Sequence, residues 1–226
     1  MASGHPPPPP VNLEEARRNM VECQIRTWEV LDQDILDLLY AVPREEFVPP
    51  AWRELAFADF EVPIGEGERM WTPKMEARVL QELALRRTDR VLEVGTGSGY
   101  LTALLAHRAA YVCSVELRPV LAAFGRANLA RHGLHNVTLE VGDAARGWPA
   151  RAPYDAIVLT GSTPLVPEEL FDQLAPGGRL FAVVGRGLVM HATLFHASGG
   201  GVRSVQLFET VIAPLAHCPQ PPRFTF

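Results

Sequence analysis

The chain has 226 residues, of which 47% are hydrophobic and 21% charged, a balance that suits one α/β domain with modest extensions and excludes wholesale disorder. A formal net charge of −5 with scattered basic residues argues against a nucleic-acid partner. Three cysteines, at positions 23, 113 and 218, make neither a disulfide framework nor a metal-ligand spacing. No apolar run approaches the ~18 residues that span a bilayer, and the start lacks the charged and apolar regions of a secretory signal, so no membrane role and a cytoplasmic location are expected.

Residues 1–11, with prolines at 6–10, read as a flexible leader, because proline fixes φ and removes the backbone donor. The remainder, 12–226, reads as a single domain: a helical and loop extension over 12–72 and a sheet core over 73–226. Asn12 is a candidate helix cap with Glu15 at the third position, and Leu13, Ala16, Met20 and Cys23 then fall on one helical face. A second helix begins near Asp34, with Ile35, Leu38, Leu39 and Val42 as its buried stripe. Pro43 and Pro49-Pro50 break the pattern into loop as far as Arg69. Thr72-Pro73 is a helix start, since Thr caps and Pro is tolerated in the first turn, and Met75, Val79 and Leu83 line one face of that helix.

From Arg90 the period changes. A short apolar strand over 90–94 ends in Gly95-Thr96-Gly97-Ser98-Gly99 and leads into an apolar helix over 100–107. A second strand over 111–115 closes on Glu116. Pro119 opens a helix that Gly133 ends, and further strands follow at 137–141 and 154–160. A helix over 168–174 precedes a fifth strand at 179–184, and two more strands, at 191–197 and 204–212, flank a turn at 198–201. Alternating helices and continuously apolar strands predict a doubly wound, mostly parallel seven-stranded α/β sheet, with the last two strands pairing as a terminal antiparallel hairpin.

The glycine loop follows the first strand of that sheet, where ligands of open α/β sheets bind. Alternating glycines let the backbone approach a ligand closely. Glu93, beside the loop, can face a cationic or amine-bearing ligand. Glu116 stands where nucleotide-binding folds place an acid for ribose hydroxyls, and Asp143, ending the third strand, can accept from the exocyclic amine of a base. A dinucleotide is a poorer fit, because Gly-Thr-Gly-Ser-Gly departs from G-x-G-x-x-G and an acid beside the loop repels a pyrophosphate. A sulfonium cofactor with an amino-acid tail and no phosphate tolerates that acid, which favours S-adenosyl-L-methionine. The seven histidines show no metal-ligand pairing, and no metal is expected.

Val91–Tyr100, together with 141–149 (Val-Gly-Asp-Ala-Ala-Arg-Gly-Trp-Pro), 154–160 (Tyr-Asp-Ala-Ile-Val-Leu-Thr) and 170–180 (Leu-Phe-Asp-Gln-Leu-Ala-Pro-Gly-Gly-Arg-Leu), resembles the protein-L-isoaspartate O-methyltransferases. The resemblance covers roughly residues 14–215 and places the chain among class I methyltransferases with a Rossmann-like core. It implies methyl ester formation on the free carboxylate of isoaspartyl residues in a protein or peptide, a repair reaction. It also implies that Glu93, Gly95, Thr96, Gly97 and Gly99 hold the amino-acid part of the cofactor, that Glu116 binds the ribose, and that Asp143 with Ala144 frames the adenine. Met70, Leu117 and Thr160 complete the implied cofactor set, and S-adenosyl-L-homocysteine is the implied product. The chain departs from the family at Arg69-Met-Trp-Thr-Pro73, where the family carries Thr-Ile-Ser-Gln-Pro: Trp71 stands at the serine and Thr72 at the glutamine. Trp71 and Thr72 are the candidate catalytic residues, at the acceptor site. Trp71 either shapes the substrate mouth or packs against the N-terminal helices; Thr72 either donates to the acceptor carboxylate or caps its helix. A different methyl acceptor and a catalytically silent cofactor-binding module are the competing readings.

Overall fold

The computed structural model describes residues 12–221, so the expected proline leader lies outside the described residues. Helix α1 (Leu13–Asn19) is capped as its sequence predicts, the Asn12 side chain accepting from Glu15 N. Its continuation corrects one expectation. Residues Met20–Ile25 form a π-helix, and its wider turn rotates the buried face onto Met20, Val21 and Ile25, leaving Cys23 exposed. Helix α2 (Gln33–Ala41) buries Ile35, Leu36, Leu38 and Leu39. The stretch expected as loop up to Arg69 contains two 3₁₀ turns, Arg44–Glu46 and Pro50–Leu55, and a small hairpin of β1 (Val62–Gly65) and β2 (Glu68–Met70). These pieces are too short to show a period in the sequence. Thr72 caps α3 (Pro73–Leu83), whose Met75, Val79 and Leu83 are buried.

The main sheet comprises β3 (Arg90–Val94), β4 (Tyr111–Glu116), β5 (Val137–Val141), β6 (Tyr154–Thr163), β7 (Leu174–Arg186), β8 (Val189–Ser198) and β9 (Gly201–Glu209). Its order is β5-β4-β3-β6-β7-β8-β9. The first five of these neighbours run parallel, connected by α4 (Tyr100–Arg108), α5 (Pro119–Arg131) and α6 (Glu168–Asp172). The central strands β3, β4 and β6 are buried almost throughout, as continuous apolar runs require when both faces are covered.

The expected terminal hairpin is present as β8–β9, and β8 is also antiparallel to β7, so the end of the sheet is a three-stranded meander. The link from β7 to β8 is too short for a helical crossover, and Gly187 turns the chain at φ 63°. Strand β7 begins at Leu174, earlier than expected, because Leu174 already pairs with Tyr154, and α6 accordingly ends at Asp172. One apolar cluster runs from Met20 through α2 and α3 to the sheet and Ile212, packing the N-terminal elements against the same core as the strands. No helix among the described residues is long and apolar enough to cross a membrane.

Candidate active site

The order of the strands reverses at β3: the chain moves to β4 on one side and later returns to β6 on the other. The carboxyl ends of β3, β4, β5 and β6 meet there, and a cleft opens over them. The β1–β2 hairpin forms one wall and the segment Ala213–Ala216 another.

Gly95 leaves β3 at φ 100°, and its N–H donates to Val115 O at 2.8 Å. A Cβ there would lie 2.1 Å from Thr160 Oγ1, which donates to Val94 O and Gly95 O. Only glycine fits both the dihedral and the gap. Gly99, at φ 83°, starts α4 without a side-chain cap and packs on Gly125; it does not line the cleft, and its part is to turn the loop into the helix.

Glu93 is fully buried at the floor of the cleft. Its Oε2 accepts from Thr102 Oγ1 at 2.5 Å and from Ser114 Oγ at 2.6 Å. Ser114 gives its proton to Glu93, so Thr96 Oγ1, 2.5 Å away, donates to Ser114 and extends the network into the loop. Glu93 Oε1 has no partner among the described residues. Burial pushes the carboxyl up to about 8, opposed by the two hydroxyl donors and assisted by the charge of Glu116. An acid so placed is short of one donor and one positive charge.

Glu116 ends β4. Its Oε2 accepts from Gly97 N at 2.9 Å and its Oε1 from Arg118 N at 3.0 Å, which fixes the carboxylate against the loop. Asp143 follows β5; its Oδ1 accepts from Ala145 N at 3.0 Å, and that bond holds the carboxyl below the usual carboxylate range, with His217 assisting. Met70, Leu117, Ala144 and Thr160 also line the cleft, beside Gly95, Thr96 and Gly97.

Trp71 both lines the cleft and belongs to the apolar core, at 7% exposure. Its carbonyl accepts from Arg44 Nη2, and the buried Arg44 also pairs with Glu76 on α3 and donates to Ala56 O at 2.8 Å. Burial raises the Glu76 carboxyl and the Arg44 guanidinium pulls it back. Thr72 is not part of the cleft lining; its Oγ1 accepts from Met75 N at 3.4 Å, the capping geometry.

Several contributors escaped sequence reasoning. Ser114 and Thr102 are polar residues inside apolar runs, a pattern that signals a buried polar partner. Glu76 lies four residues before Leu80 and seven before Leu83, so it falls on the buried face of α3 and needs a cation. His217 and the Ala213–Ala216 wall carry no such signal. Their place depends on Ser162 N donating to Ala213 O and Leu215 N donating to Ser162 O, which lay this segment along the end of β6. His217 Nδ1 then reaches Asp143 Oδ2 at 2.7 Å.

A doubly wound sheet with a glycine loop, a cation-seeking buried acid and further acids at successive strand ends defines a class I S-adenosylmethionine-dependent methyltransferase. The family described as protein-L-isoaspartate(D-aspartate) O-methyltransferase matches residues 15–217, and the chain belongs to it. A protein-L-isoaspartate O-methyltransferase of Methanoculleus marisnigri is 43% identical over 199 residues, covering 88% of this chain and 90% of that protein. A solved protein-L-isoaspartate O-methyltransferase superposes with a TM-score of 0.75 at 27% identity, covering 88% of this chain and 66% of that longer one. A Plasmodium falciparum protein solved in complex with S-adenosyl-L-homocysteine shares the fold at a TM-score of 0.75 and 22% identity, over 91% of this chain and 99% of its own. The chain is thus an O-methyltransferase.

Proposed function

We propose that this chain transfers the methyl group of S-adenosyl-L-methionine to the free carboxylate of isoaspartyl residues in proteins. Family membership supports the acceptor class, and the observation that carries the cofactor is the partnerless Oε1 of Glu93 on the cleft floor. That buried oxygen lacks a donor, which the ammonium group of an amino-acid tail lying along Gly95, Thr96 and Gly97 in the same cleft would supply. Glu116 is pinned by Gly97 N in an orientation that leaves its carboxylate facing the cleft for ribose hydroxyls. Asp143 and Ala144 frame the adenine, with Met70 and Leu117 as apolar contacts and Thr160 holding the loop.

When bound, the cofactor supplies an electrophilic methyl group on a positively charged sulfur. The acceptor carboxylate is already ionised at neutral pH, so this chain's residues have little proton transfer to perform. Their task is to hold one oxygen in line with the methyl carbon and to exclude water, in a cleft that Trp71 and the Ala213–Ala216 segment help to line.

The deciding assay measures base-labile methyl ester on an isoaspartyl peptide against its aspartyl twin. Ester on the isoaspartyl peptide alone is expected; equal turnover, or none, rejects the reading. Trp71, at the position of the family's serine, favours a second reading in which the acceptor is a different group. A methylated product stable to mild base would select it.

A further inference from the structure

Acids dominate the cleft lining: Glu61, Glu68, Glu76, Glu93, Glu116 and Asp143. An acceptor carboxylate entering this space meets repulsion unless a cation receives it. Most of these acids are already committed. Glu76 is paired with Arg44, Glu68 with Arg118 at 2.6 Å, and Asp143 with His217 at 2.7 Å. Glu116 is held by two backbone N–H groups, and Glu93 by two hydroxyls.

The cationic side chains of the lining are Arg118 and Arg69. Arg118 is tied to Glu68. Arg69, on β2, makes no salt bridge among the described residues, and its one hydrogen bond is a long 3.4 Å contact from Nη1 to Glu61 O. The Glu61 carboxyl itself is raised by burial, which weakens its hold on the neighbouring guanidinium. Trp71, two residues on, lines the same cleft but is buried where Arg69 is exposed. Its indole N–H makes no hydrogen bond to a described residue and is not sealed among the buried partnerless atoms.

The geometry points to Arg69 as the residue that receives the acceptor carboxylate at the mouth of the cleft, with the Trp71 indole N–H as a second donor. The inference rests on the isoaspartyl reading and adds the group that selects for the charge of the acceptor. Guanidinium offers a planar fork of donors that matches a carboxylate. A carboxylate oxygen that accepts one N–H keeps a lone pair to form the O–CH₃ bond as the S–CH₃ bond breaks and its electron pair returns to sulfur.

The test uses the full chain loaded with S-adenosyl-L-homocysteine, titrated by calorimetry with an isoaspartyl peptide and with the same peptide carrying an amide at that carboxyl. The unaltered protein should bind the carboxylate form about tenfold or more tightly than the amide, as a charge-assisted contact requires. Arg69→Gln should abolish that preference and Arg69→Lys should keep part of it, both with cofactor-product affinity unchanged, and Trp71→Phe should reduce it a few-fold. Because Arg69 is exposed, the Gln variant should fold, and its unchanged S-adenosyl-L-homocysteine binding checks that. Absence of a preference in the unaltered protein, or its survival in Arg69→Gln, overturns the inference. If the preference is present and lost as expected but no ester ever forms, the proposed function falls while the carboxylate site stands.

Discussion

The two ends of the parallel sheet treat their buried charges in opposite ways. At the amino end of the strands, Asp89 Oδ2 accepts from Arg86 N at 3.0 Å and from Arg179 Nη2 at 2.7 Å. Arg179 spends its other donors on the carbonyls of Leu83, Ala84 and Asp155. At the carboxyl end, Glu93 is just as buried, yet it has one oxygen with no donor and no cation beside it. A satisfied network fixes structure; an unsatisfied acid keeps free energy in reserve for a ligand that completes it.

The sharpest way to break this contrast is to remove a member of each network. Arg179→Met leaves Asp89 buried without its cation and should cost about 3–5 kcal/mol of stability by thermal unfolding. Calorimetry on the folded fraction should find S-adenosyl-L-homocysteine affinity unchanged. Glu93→Gln should do the reverse. Removing a charged hydrogen-bond partner should weaken cofactor binding by roughly 1.5–3 kcal/mol, or about 10–100-fold, while the unliganded protein melts no lower than before. A variant that lost stability as well as affinity would erase the distinction between the two ends.

The contrast also predicts a pH dependence. The Glu93 carboxyl sits at about 8 in the folded protein, above its ordinary value of 4.5, so the folded state holds a proton that the unfolded state has lost between those values. Its contribution to stability is therefore complete below the ordinary carboxyl range and disappears as the pH rises through about 8. Cofactor binding runs the opposite way, because a cationic ligand needs the carboxylate. Affinity should rise by up to about tenfold per pH unit below 8, and Glu93→Gln should flatten the profile. A flat profile in the unaltered protein would show that Glu93 is not the group the ligand completes.

The smallest effect concerns Thr72. If its hydroxyl serves the helix, Thr72→Ala should cost about 1 kcal/mol of stability and leave methyl transfer per folded molecule unchanged. A loss of turnover at full stability would move Thr72 into the acceptor site.

Much of the molecule was readable from local pattern. The strand limits Arg90–Val94 and Val137–Val141, the Asn12 and Thr72 caps and the Gly133 helix end depend on neighbours within one turn or one pleat, so periodicity and capping chemistry suffice. The three acids at the ends of successive strands were legible for the same reason, since a parallel sheet brings those ends together whatever its detail. Tertiary structure alone decided what surrounds them. The π-helical turn that turns Cys23 outward and the short β1–β2 hairpin are local but too short to show a period, whereas the Arg44–Glu76 pair behind Trp71 and the Ala213–His217 segment against Asp143 join residues far apart in sequence. Their geometry comes from packing and desolvation across the fold, which no local window contains. The sequence by itself therefore determined a cofactor loop on a parallel sheet, and only the folded chain decided that Glu93 is left one donor short and that Trp71 faces the cleft beside Arg69.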